Sequence, residues 1–195
     1  MMPVFNRLVR RLFMTALLIG AWSTAVHAQS PRPDWTAVLN GVDGIVVYCL
    51  ASQDREYSVE VCGKLSETVI AGFAGSRLKA VQTGVVFTGS DVQPGEPTDP
   101  AVLRQAPGMA APLVIRLVVL GTRSGNPGAT GGFTVSRPFR AAVEAGSTGA
   151  GLAGDLVVHE RQWVAEGPRR LVIRALVEHG SRQVGALAAE IRSHL

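Results

Sequence analysis

The chain has 195 residues, 19 of them Lys or Arg and 15 Asp or Glu, and 17% of it is charged. The formal charge of +4 is mostly in the first 28 residues, which hold three arginines and no acid, so that 16 basic residues face 15 acidic ones in the remainder. A balance that close to neutral excludes a general attraction to nucleic acid or to anionic membrane.

Residues 1–28 read as a secretory leader. Arg7, Arg10 and Arg11 form a basic start. Leu12 to Trp22 is an apolar run too short to span a bilayer comfortably. Val26-His27-Ala28 fits a peptidase site, with cleavage expected before Gln29. No cysteine follows the cut, so a lipid anchor is not expected, and no later stretch has the apolar length of a membrane helix. Residues 29–195 are then one domain's worth of chain, exported to the periplasm or secreted.

Pro31-Arg32-Pro33 is an extended lead-in. Asp34 caps a short helix, Trp35 to Leu39, that ends near Gly41. Gly44 to Leu78 organises the rest. Ile45 to Leu50 is a continuous apolar run rich in β-branched residues, the pattern of a strand covered on both faces. Ser52 or Asp54 then caps a helix whose Val59, Cys62, Leu65, Val69 and Phe73 make one apolar stripe. Glu60 and Lys64 form an i,i+4 pair of opposite charge.

Cys49 and Cys62 are the only cysteines. The stripe points Cys62 at the strand that carries Cys49, with Gly63 expected to ease the approach. In an exported chain this predicts a disulfide. Closing a loop of this size stabilises by about 3 kcal/mol in the chain-entropy model.

Val85 to Thr88 reads as a second strand, which makes a β-α-β start. Residues 90–112 are proline-rich and irregular, with one helical turn capped by Asp99 and opened by Pro100. Such a segment is either an ordered functional loop or a mobile linker. Leu113 to Leu120 is a strand, apolar apart from Arg116. Gly121 to Gly132 is turn-like, Phe133 to Val143 is a strand bent at Pro138, and Ala145 to Gly154 is a second small-residue loop. Leu156 to Val164 and Leu171 to Val177 pair as a hairpin across Glu166-Gly167-Pro168. A last helix, capped by Ser181, presents Val184, Leu187, Ala188, Ile191 and Leu195. The expected class is α+β: a β-α-β start, a mostly antiparallel strand run and a C-terminal helix, with the helices on one face of a mixed sheet.

Motifs that carry chemistry fail in their context. Gly149, Gly151 and Gly154 spell G-x-G-x-x-G, yet a strand follows where a dinucleotide site needs a helix N-terminus. Ser76 and Lys79 have the S-x-x-K spacing, but Ser76 falls at a helix end, and Gln82-Thr83-Gly84 and Ser90-Asp91 are imperfect partners. His27 leaves with the leader, and His159, His179 and His194 share no metal spacing. No catalytic residue, cofactor or metal is therefore assigned. Arg161, Trp163, Arg169 and Arg170 gather around the expected hairpin tip as a candidate interaction patch. The function expected is non-enzymatic: an interaction or envelope-assembly domain with another envelope protein as partner. The alternative is a small-molecule or glycan binder with residues 90–112 as a lid, and a hydrolase comes third.

Overall fold

The computed structural model describes residues 32–52, 56–88, 98–121, 128–141 and 152–195. The leader, Asp54, Gly149, Gly151 and residues 90–97 of the proline-rich segment lie outside them. In chain order the elements are α1 (Trp35–Leu39), β1 (Gly44–Ser52), α2 (Glu56–Gly72), β2 (Lys79–Thr88), α3 (Pro100–Arg104), β3 (Pro112–Gly121), β4 (Gly128–Ala141), β5 (Leu152–Glu166) and α4 (Arg169–Arg192). The five strands make one sheet in the order β2-β1-β3-β4-β5. β1 pairs parallel with both β2 and β3, while β3, β4 and β5 run antiparallel. The architecture is the α+β class read from the sequence.

The apolar run of β1 buries both of its faces. Ile45, Val47, Cys49 and Ala51 join Leu113, Ile115, Leu117 and Val119 of β3 under the helices. Val46, Tyr48 and Leu50 face the other way, against Val102 and Ala106 around α3. The disulfide joins Cys49 of β1 to Cys62 of α2, with the two Cα atoms 5.7 Å apart and both residues fully buried. Gly63 has no part in that approach, because a Cβ placed there meets nothing within 4 Å.

Two capping expectations hold in detail. Asp34 Oδ1 accepts from the N–H groups of Thr36 and Ala37, and Asp99 Oδ1 accepts from Ala101. Each satisfies donors that a helix start leaves without partners. Ser52 ends β1, and its hydroxyl accepts from Gly121 N at 3.3 Å.

The stripe of α2 keeps the expected phase at four of its five positions. Val61, Cys62, Leu65, Val69 and Phe73 are buried, whereas Val59 is exposed. The larger correction concerns the C-terminal third. Leu171 to Val177 is not a strand and there is no hairpin with β5. The segment is the first half of α4, which runs unbroken through Gly180. Val172, Leu176, Gly180, Val184, Leu187, Ala188 and Ile191 are its buried residues, at helical spacing. Pro168 stands at the N-cap with no side-chain cap, so Ser181 caps nothing. Gly180 is there for packing: a Cβ on it would meet Leu65 Cδ2 of α2 at 2.7 Å. Further along, Ala188 takes up the space beside Gly72, and these small residues let α2 and α4 lie close on the same sheet face.

β4 is also longer than expected. Gly128 to Gly132 belong to it rather than to a turn, and the irregularity lies between Val135 and Ser136 instead of at Pro138.

Candidate functional site

The face of the sheet turned away from α2 and α4 mixes polar and apolar side chains, whereas the helix face is apolar. Paired residues on neighbouring strands point the same way, so the register assigns this face row by row. One row is Arg116, Thr134 and Glu160 on β3, β4 and β5. The next is Val118, Gly132 and Gln162, and the third is Leu120, Thr130 and Val164. Around Gly132 lies a dimple of about 230 Å³ bordered by Arg116, Val118, Leu120, Thr130, Thr134, Glu160, Arg161 and Gln162. A Cβ on Gly132 would meet Arg161 O of β5 at 2.9 Å.

Beside the dimple the face closes over a buried polar cluster. Tyr48, Thr98, Arg116, Thr134 and Ser136 are each no more than 6% exposed. Asp155 Oδ2 accepts from Ser136 Oγ at 3.0 Å, from Thr98 N at 3.1 Å and from Thr98 Oγ1. One carboxylate oxygen therefore ties β4, β5 and Thr98, two residues before α3. Burial pushes the Tyr48 phenol above its usual value; the Arg116 charge and a hydrogen bond with Thr98 pull back, Asp155 adds to the rise, and a hydrogen bond with Arg116 opposes it. Tyr48 thus stays a neutral phenol beside a permanent cation. The other end of the segment is pinned too, with Asp43 Oδ1 and Oδ2 each 3.1 Å from Ala111 N. Residues 98–111 consequently form an ordered cover over Val46, Tyr48 and Val114.

The residues singled out in the sequence fall elsewhere. Arg161 and Trp163 sit on the helix side of β5, since they pair with Phe133 and Gly131. Arg161 Nη1 donates to Gln183 Oε1 of α4 at 2.6 Å. The Trp163 ring packs 6.4 Å from Phe133 and 5.9 Å from His179. Arg169 lies 5.8 Å over the Tyr57 ring of α2, a cation–π distance. Arg170 is exposed at the start of α4. Arg161, Trp163 and Arg169 brace the helix layer at different points, and the hairpin tip at which the four were expected to gather is absent.

His159 packs edge-on against Trp35, at 6.2 Å, and tilted against Phe133, at 5.6 Å. Burial and the Arg161 charge push its pKa down, while Glu190 opposes them. Ser76 Oγ donates to Leu78 O at 2.8 Å, which makes it part of the turn into β2, and Lys79 is the first residue of that strand. Among the described residues no group of three or more His, Cys, Asp or Glu could hold a metal, and no helix is long and apolar enough to cross a membrane.

Sequence reasoning missed Tyr48, Thr98, Thr134, Ser136, Asp155 and Gly132. Two signals were present. Arg116 interrupts an otherwise apolar strand, and Thr130, Gly132, Thr134 and Ser136 alternate at the period of two that places small and polar groups on one face.

No protein-family model matches the chain. No curated protein matches it either. Among solved structures, the hypothetical protein CT253 from Chlamydia trachomatis aligns with 77% of this chain and 99% of that chain, at 10% identity and a TM-score of 0.33. A likeness of that extent carries no argument about function.

Proposed function

We propose that the chain is an exported, non-enzymatic interaction domain that docks another envelope protein through the helix-free face of β3, β4 and β5. The observation that supports this reading is the division of the buried polar groups on that face. Asp155 is occupied by three donors, and Tyr48 is held neutral, so the cluster shapes a surface rather than poising a base or nucleophile. Next to it lies a shallow, mixed polar and apolar patch with Gln162 and Val164 exposed at its rim. The buried disulfide supports export, because such bonds persist in oxidising compartments. On this reading residues 1–28 are the leader and the mature chain is periplasmic or secreted.

A second reading, binding of a small ligand, is favoured by the dimple itself. At about 230 Å³ it is below the roughly 300–1,000 Å³ of drug-sized sites, so it suits a small molecule or a single inserted side chain.

The test is native electrophoresis of gently solubilised envelopes carrying a tagged chain. Wild type should migrate in a complex larger than the monomer. Val164→Asp should migrate as the free chain with an unchanged melting temperature. A wild-type chain that runs alone, or a variant that still enters the complex, contradicts the interaction reading.

A further inference from the structure

The sheet ends in two strands of different regularity. β2 and β5 are its outer strands, and no described strand pairs with the second edge of either. β2 is interrupted in its middle, where its register with β1 shifts between Gln82 and Gly84 and Gly84 takes a φ of 110°. β5 is interrupted only at Val158, so His159 to Ala165 is a regular run that stops short of Gly167 and α4. A free, regular edge offers its backbone N–H and C=O groups to another strand. The run also lies beside a cleft of about 310 Å³ between β5 and α4, where Glu178, His179 and Arg182 of α4 line one wall.

The charges of this run select its occupant. When two copies of a strand pair antiparallel about a two-fold axis, residues equally far from the axis stand opposite each other on one face. An axis at Glu160 or at Arg161 sets like charges opposite, and an axis at Trp163 sets Glu160 against Glu166. An axis at Gln162 avoids all three. It is the midpoint of the regular run, and it places Glu160 against Val164, His159 against Ala165 and the Arg161 guanidinium beside the Trp163 ring of the other copy, a cation–π arrangement. α4 agrees with this axis. Gly180 lies level with Trp163, since a Cβ on it would meet Trp163 Cζ2 at 2.9 Å. Glu178 and Arg182 stand two residues to either side of Gly180, both exposed, so the same axis sets each against the other's opposite charge. Glu178 Oε1 accepts from Arg174 at 2.7 Å, which leaves Oε2, and Arg182 has no ion-pair partner among the described residues. We propose that the chain forms a homodimer by antiparallel pairing of β5 with β5 of a second copy, centred on Gln162. The two sheets then continue into one, with α2 and α4 of both copies on the same face and the helix-free face doubled in width.

Sedimentation equilibrium of the purified, oxidised chain tests it. At about 0.1 mM the chain should have twice its own mass. Gln162 is exposed and lies on the axis, so a charge placed there meets itself. Gln162→Lys alone, or Gln162→Glu alone, should weaken the dimer about fivefold with an unchanged melting temperature. An equal mixture of the two variants should associate at least as tightly as wild type, because Lys then faces Glu. A chain that stays monomeric up to about 1 mM overturns the proposal. So does a dimer indifferent to both substitutions, or a mixture that associates no better than either variant alone. The purified dimer also supplies the reference band for the docking experiment, since a complex with an envelope protein must run above it. A monomeric purified chain that enters such a complex leaves the docking reading standing and removes this one. A dimer that enters no larger complex does the reverse.

Discussion

The two faces of one sheet are built to different rules. On the helix side, β1, β3 and β4 present Ile45, Val47, Leu113, Ile115, Leu117, Phe133 and Val135, all nearly inaccessible, to α2 and α4. On the other side the same strands present Tyr48, Arg116, Thr134 and Ser136, and only residues 98–111 cover them in part. The first face is what apolar burial requires for a fold of this size. The second keeps polar groups that must be matched one by one to avoid a desolvation cost. We propose that recognition uses the face that is costlier to build and left open next to the dimple. The helix face should therefore respond to substitution through stability, and the open face through binding.

The largest effect is expected on the helix face. Leu176→Ala removes a fully buried side chain of α4 and should cost about 3–4 kcal/mol in denaturant melts, close to the limit of what a small domain tolerates. A loss under about 1 kcal/mol would mean that α4 is not integral to the core. Replacing Cys49 and Cys62 together by Ala opens a loop between residues 13 apart and should cost about 3 kcal/mol, read as a shift in the midpoint of denaturation.

Asp155 sits between the two regimes. Asp155→Ala leaves the Thr98 N–H and the Thr98 and Ser136 hydroxyls without their acceptor. It should cost about 2 kcal/mol and should raise hydrogen exchange in residues 98–111 while α2 and α4 stay protected. Equal deprotection of both faces would erase the comparison.

How much of this was legible depends on the face. β1, the caps at Asp34 and Asp99, and the Cys49–Cys62 bridge follow from local signals: an apolar run, a carboxylate before a helix, a periodic stripe. The first half of α4 did not, because Leu171, Val172, Ile173 and Val177 have β-strand chemistry. Their helical spacing emerges only when Gly180 is taken as a packing residue rather than a stop. Val59 was counted in the α2 stripe for a related reason, since Val59 and Val61 are chemically alike and only the packed sheet chooses between them. The open face was hardest. Its members come from β1, β3, β4, β5 and Thr98, and only strand register brings them together.

A smaller effect should appear with pH. His159 is packed by Trp35 and Phe133, and the charged groups acting on it are Arg161 and Glu190. Its pKa is pushed down in the folded chain, so the unfolded chain binds the proton more readily. Its contribution to stability is complete above the unfolded value, near pH 6.5, and is lost as the pH falls below that. His159→Phe should flatten the decline in melting temperature below about pH 6.5, whereas an unchanged slope would assign the decline to other groups.

The smallest effects on stability are expected where the largest effects on recognition are. Val164 on the open face is 64% exposed, Leu171 on α4 is 58% exposed and Val59 on α2 is 44% exposed, so comparable apolar side chains are available on both sides. A photo-crosslinking amino acid at any of these positions should leave stability within about 0.5 kcal/mol of wild type. Irradiation of living cells with the crosslinker at Val164 should give a discrete adduct with an envelope protein, and at Leu171 or Val59 it should give none. An adduct of equal yield from Leu171 or Val59, or adducts from these two alone, would contradict the assignment of recognition to the helix-free face.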